Sequence, residues 1–146
     1  GKKMSSLDTV LAITDNLRTA LEGLGISFSE KVYDDGKSIP ASLLPLGEIF
    51  YTGESFEYTH GQRPGYAEAE FTLKVTVSGR SQTGAVRSAQ SWIHGIRDAL
   101  TVDALNTGTL AAARSVSRAE TKGAAVQGGE SVITIHYRVA VRYREA

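Results

Sequence analysis

The sequence predicts an α+β fold: an antiparallel (mixed) sheet with two helices packed on one face. Three observations carry this. The closing stretch "SVITIHYRVAVRYREA" (Ser131–Ala146) sets Ile133, Ile135, Tyr137, Val139, Val141 and Tyr143 against Thr134, His136, Arg138, Ala140 and Arg142. That is the period of two of a half-buried strand. "YAEAEFTLKVTV" (Tyr66–Val77) repeats the pattern, with Ala67, Ala69, Phe71, Leu73, Val75 and Val77 facing one way. Two other stretches space their apolar residues three or four apart, as helices with one buried stripe do. Strands that alternate cleanly, interrupted by helices, imply a sheet covered on a single side.

The first helix is expected over Ser5–Leu24. Leu7, Val10, Leu11, Leu17, Leu21 and Leu24 form its stripe, Ser6 is the expected N-cap, and Asp8 adds charge to the first turn. Gly23 and Gly25 can take the left-handed conformation that ends a helix. "ISFSEKVY" (Ile26–Tyr33) reads as a short strand, "DDGKS" as a turn and "IPASLLPLG" as an extended crossing. "EIFYTGESFEY" (Glu48–Tyr58) reads as two short strands around Thr52-Gly53, and "THGQRPG" (Thr59–Gly65) as a loop.

Ser81–Leu100 is the second helix, with Val86, Ala89, Ile93, Ile96 and Leu100 as its stripe and Trp92 beside it. Gly84 and Gly95 weaken it, and a glycine inside a helix often marks close packing. Ala104–Leu110 is a connector. "AAARSVSRAE" (Ala111–Glu120) and the last strand flank a glycine-rich stretch, Gly123–Gly129, expected to be a long hairpin loop. No domain boundary or repeat interrupts 4–146, so one domain is expected. Gly1–Lys3, ahead of the only methionine, read as a cloning remnant.

Composition excludes some chemistry. Of the 146 residues none is cysteine, so disulfides, thiolate metal sites and thiol catalysis are ruled out. No run approaches the ~20 apolar residues of a membrane helix, and no secretory leader is visible. Net charge is zero but polarised. Residues 1–70 hold 6 Lys/Arg against 11 Asp/Glu; residues 71–146 hold 10 against 5. An acidic patch on one side and a basic patch on the other suit head-to-tail self-association.

No catalytic constellation is present. His60, His94 and His136 have no partner at metal-ligand spacing. P-loop, dinucleotide-binding and nucleophile-elbow spacings are absent. No catalytic residue, cofactor site or metal site is therefore assigned, and the chain is not expected to be an enzyme.

Arginines are what remain. Arg138 and Arg142 share a strand face with His136, and Arg114 and Arg118 lie four apart on the preceding strand. If the strands pair, all four arginines are expected to gather into one basic stripe away from the core. In residues 71–146 the basic residues are eight Arg and two Lys, and arginine is the type enriched at interfaces. Arg114, Arg118, His136, Arg138 and Arg142 are thus candidates for a subunit interface or channel lining. His60, Gln62 and Arg63 in one loop, with Lys122 and Gln127 around the glycine-rich stretch, are candidates for docking.

A leucine-striped N-terminal helix, an acidic aromatic middle, "YAEAEFTLKVTVSG", the helix "AVRSAQSWIHGIRDAL" and the final "SVITIHYRVAVRYRE" occur in that order. This order resembles the tail terminator (tail completion, minor tail) proteins of long-tailed bacteriophages, over nearly the whole chain from Met4. The resemblance implies a small structural α+β protein without cofactor, forming a hexameric ring that caps the tail tube. It implies that the ring stops tube polymerisation, joins the tube to the head–tail connector and lets DNA through its lumen. The implied partners are further copies of itself, the tail tube protein and the connector protein. The implied location is the virion, with assembly in the host cytoplasm. The competing readings are a head–tail connector or neck protein, a small ligand-binding or enzymatic domain, and a nucleic-acid binder.

Overall fold

The computed structural model describes residues 5–29, 41–58, 64–79, 82–106, 111–127 and 130–145. In chain order these form α1 (Ser6–Glu22), β1 (Ser27–Phe28), β2 (Leu46–Tyr58), β3 (Pro64–Gly79), α2 (Gln82–Ala99), α3 (Val102–Leu105), β4 (Ala111–Gln127) and β5 (Glu130–Arg144). A 3-10 turn at Ala41–Leu43, rather than extended chain, leads into β2. The strands make one five-stranded mixed sheet in the order β1-β2-β3-β5-β4. Only β1–β2 is parallel; the other three pairings are antiparallel. The fold is α+β, as the alternation and the helical stripes predict.

The interior strands β3 and β5 are the two with the clearest alternation. Each is paired on both sides, so its core-facing residues have no exit to solvent. Ala67 to Val77 and Ile133 to Tyr143, taken at every second position, are buried in one cluster with residues of α1, α2 and α3. Each fully buried Leu or Ile there contributes about 1.5–3 kcal/mol through removal of apolar surface from water. Tyr137 is 1% exposed, and its hydroxyl donates to the Ile93 carbonyl on α2. This contact pins helix to sheet.

The helix α1 starts one residue earlier in its capping than expected. Ser5, not Ser6, is the N-cap: its Oγ accepts the Asp8 N–H at 3.1 Å. Asn16 ties the helix to α3 by donating to the Leu105 carbonyl at 2.9 Å. At the C-terminus Gly23 stays right-handed, and Gly25 takes the positive φ of +85°. The buried stripe is Thr9, Val10, Ile13, Leu17 and Leu21, so Leu7 and Leu11 fall on its flank and are 67% and 53% exposed. On α2, Ala89 and Ile96 are buried, as is Leu100 just past its end, and Val86 is 43% exposed. A Cβ on Gly95 would meet nothing within 4 Å, so that glycine does not mark close packing.

Three further expectations are corrected. Glu48–Tyr58 is not two strands. It belongs to one strand in which Thr52 is an extra, bulged residue between the Tyr51–Phe71 and Gly53–Glu70 pairs. Gly53, at φ +154°, supplies the backbone conformation that the bulge requires. The strand expected over Ile26–Tyr33 covers Ser27–Phe28 and does not include Ser29; residues 30–33 and the turn expected at "DDGKS" lie outside the described residues. The long loop expected at Gly123–Gly129 is largely strand: β4 runs to Gln127, which pairs with Glu130. Lys122 and Gln127 therefore lie in β4 and not in a loop.

Candidate functional site

The helices cover one face of the sheet. The opposite face carries the even-numbered residues of β3 and β5, and register places them in rows that run across the strands. One row is Glu48–Lys74–His136–Glu120. The next is Phe50–Thr72–Arg138–Arg118, and further along comes Ser55–Glu68–Arg142–Ala113.

This face is not uniformly open. At one end Thr76, Thr134, Lys74 and Glu48 are buried. Thr76 and Thr134 are joined through their hydroxyls at 3.3 Å. The Lys74 ammonium sits 3.7 Å from Glu48 Oε1, with 7% and 8% of their side chains exposed. Two charges taken out of water this far recover their desolvation cost only through each other and further partners. His136 belongs to this half-buried end. Towards the other end Glu70, Arg118, Arg138 and Arg142 are exposed. A groove of about 360 Å³ opens there, with Thr52, Glu70, Thr72, Arg138 and Ala140 among its lining residues.

Register brings together three of the four arginines. Arg118 stands opposite Arg138, and Arg142 lies four residues along the same strand as Arg138. Arg114 is not part of this set. Between Val116 and Arg118, β4 contains an extra residue, Ser117, which resets the alternation. Arg114 thus pairs with Val141 and sits on the helix side. The expected stripe of four is therefore wrong by one bulge.

Nor is the face purely basic. Arg118 Nη2 is 2.8 Å from Glu120 Oε2, and Arg142 Nη2 is 3.1 Å from Glu57 Oε2. The Arg142 guanidinium also lies 3.9 Å from the centre of the Tyr66 ring. Stacked and paired at once, Arg142 is held in place more firmly than a surface arginine with one partner. Arg138 has no ion pair among the described residues. Together with Arg144, which is exposed on the same face beside Tyr66 and also has no ion pair among the described residues, it can meet an outside carboxylate or phosphate.

The remaining candidates add little geometry. His94 is exposed on α2. His60, Gln62 and Arg63 lie outside the described residues. Among the described residues no three His, Asp or Glu side chains cluster as a metal site would require.

Sequence reasoning missed a second feature, the exposed aromatics of β2. Tyr51 and Phe56 are 54% and 52% exposed on the helix side. Tyr51 meets Phe71 edge-on, with ring centres 5.8 Å apart. Their exposure follows from position at a sheet edge, which alternation alone does not reveal. The chain matches no protein-family model and no curated protein sequence.

Proposed function

We propose that this chain is a structural protein of a long-tailed bacteriophage. In this reading it is a tail terminator whose copies close into a ring, six by the family resemblance, on the end of the tail tube. The ring halts tube growth and offers the opposite surface to the head–tail connector, and DNA passes through its lumen. Its partners are its own copies, the tube protein and the connector protein. It acts in the virion after assembly in the host cytoplasm.

The observation that carries this reading is the two-sidedness of the sheet. One face is sealed by helices, while the other is left open where Arg118, Arg138 and Arg142 stand. An open sheet face with a cation lacking an ion pair among the described residues suits a surface that a neighbouring copy or a passing polyanion completes.

The test is the solution mass from light scattering coupled to size exclusion, over protein concentration and salt. A closed oligomer near six copies supports the ring. Arg138→Glu combined with Arg142→Glu is expected to abolish it while circular dichroism stays native. Unchanged assembly of that variant rejects the open face as interface or channel lining. Electron micrographs of tail tubes then separate a cap on the tube from a piece of the neck.

A further inference from the structure

We propose that copies of this chain join edge to edge, residues 111–120 on the β4 edge of one copy adding antiparallel to the β2 edge of the next from Glu48 onward. In this junction Arg114 of one copy faces Glu54 of its neighbour. The proposal rests on the oligomeric reading above and adds to the open face a second contact, at the strand edges.

Both outer strands offer free edges. Among the described residues β4 is paired only with β5, and β2 from Glu48 onward is paired only with β3. Unpaired strand edges are templates for another strand. Polarity fits as well. Three successive antiparallel pairings make β2 and β4 run in opposite directions. A neighbour rotated about an axis along the strands, with the same face inward, therefore presents its β4 antiparallel to β2. This contact is head-to-tail, between two different surfaces, and can repeat until it closes.

Charge fits too. Between 46 and 58 the chain holds Glu48, Glu54 and Glu57 and no Lys or Arg. Between 111 and 127 it holds Arg114, Arg118 and Lys122 against Glu120 alone. Charges of opposite sign along two edges favour this pairing over either edge with itself.

Register makes the match specific. One row across the sheet runs Arg114–Val141–Ala69–Glu54, so Arg114 and Glu54 sit at its two ends on the helix side. Each owes that side to a bulge. Were Thr52 paired in regular register, Glu54 would fall on the open face; were Ser117 so paired, Arg114 would too. The adjacent row runs Val116–Val139–Phe71–Tyr51 and ends at an aromatic ring 54% exposed. Both bulges flank this row, so the two edges bend at the same level. A bulge on one edge alone would turn it away from a partner.

Disulfide trapping tests the junction, in a chain whose lack of cysteine leaves no background thiol. Ser55 and Ala113 end another common row. Within one copy they are three strand spacings apart, about 14 Å, too far for a disulfide. The variant carrying Ser55→Cys and Ala113→Cys is expected to give, on oxidation, a ladder of covalent oligomers that thiol reductant collapses. The two single variants mixed should stop at dimers. Adding Glu54→Arg should slow the ladder about tenfold, and adding Arg114→Glu to that should restore it.

A ladder no faster than that of Thr19→Cys with Asp98→Cys, both on exposed helix positions, overturns the junction. If the parent chain is nonetheless a closed oligomer by light scattering, the ring stands and closes through another surface. A parent that stays monomeric and a double variant without a ladder overturn both.

Discussion

Arg118 and Arg138 stand directly opposite each other on neighbouring strands, two like charges in one cross-strand pair. Such a pair destabilises a sheet, and here only Arg118 is compensated, by Glu120 at 2.8 Å. A position that folding alone would not choose is a position to test for function.

Arg138→Ala should leave the folded monomer as stable as the parent or raise its stability by up to about 0.5 kcal/mol, because repulsion is relieved and no ion pair is lost. Urea unfolding measures this. The same variant should assemble less readily in light scattering. A loss of stability without loss of assembly would make Arg138 a structural residue.

Lys74→Met should cost about 3 kcal/mol, since it leaves the Glu48 carboxylate buried without its cation. The methionine keeps most of the side-chain volume, so lost packing is a minor part. Combining it with Glu48→Gln should recover most of the loss in the same urea experiment. Equal losses in the single and double variants would show that packing, not charge, is at stake.

Alkali should unfold the protein through its buried tyrosines. Burial pushes the pKa of Tyr137 from 10.0 up to about 12. Burial also pushes Tyr143 up, helped by the nearby Glu54 carboxylate. A hydroxyl whose pKa is higher when folded holds its proton more tightly in the native state. Its stabilisation is complete below pH 10 and is lost as pH rises towards 12. Phenolate absorbance should therefore rise in two stages, the second coinciding with loss of circular dichroism. Tyr137→Phe should shrink the second stage and, by removing the bond to Ile93, cost about 1 kcal/mol at neutral pH.

Two glycines should respond to alanine with opposite signs. A Cβ on Gly47 would come 2.7 Å from Ile26 Cγ2 and 2.9 Å from Phe28 Cζ, so Gly47→Ala should force β1 away and cost about 1–3 kcal/mol. Gly95 lies inside α2 with nothing within 4 Å of that position, so Gly95→Ala should stabilise by up to about 1 kcal/mol. Thermal melts of the two variants decide both.

What was legible in the sequence follows the degree of pairing. β3 and β5 sit inside the sheet with one face against helices, so physical burial prints a period of two onto their residues. β2 and β4 are edges, and each contains an added residue that shifts its alternation midway. "AAARSVSRAE" holds too few apolar side chains to betray Ser117, so its pattern puts Arg114 on the wrong side. On α1, Leu7 and Leu11 passed for core because leucine spacing does not reveal where a stripe is centred; Ile13 lies nearer its middle. The Lys74–Glu48 pair joins two strands, and no local pattern announces that a charged residue on the outward face is itself covered. Arg138 was visible as a residue type, while its lack of an ion pair among the described residues follows from how the strands pair.

The two-residue strand β1 has a consequence out of proportion to its length. Ser27 and Phe28 occupy the outer edge of β2 at Leu46 and Gly47, and among the described residues no strand pairs with that edge from Glu48 onward. A strand sliding along β2 meets this obstruction at one end. In the register of the proposed junction Glu120 of the incoming strand comes level with Glu48, and its next residue, Thr121, comes level with Gly47, where Phe28 already stands, so the incoming strand must leave the β2 edge at that point. The short strand is thus an end stop, and it limits how far an incoming strand can slip. Identical edges that could slip by two residues would build rings with mismatched seams. In the proposed ring, a fixed stop on each copy would remove that error before any side chain is read.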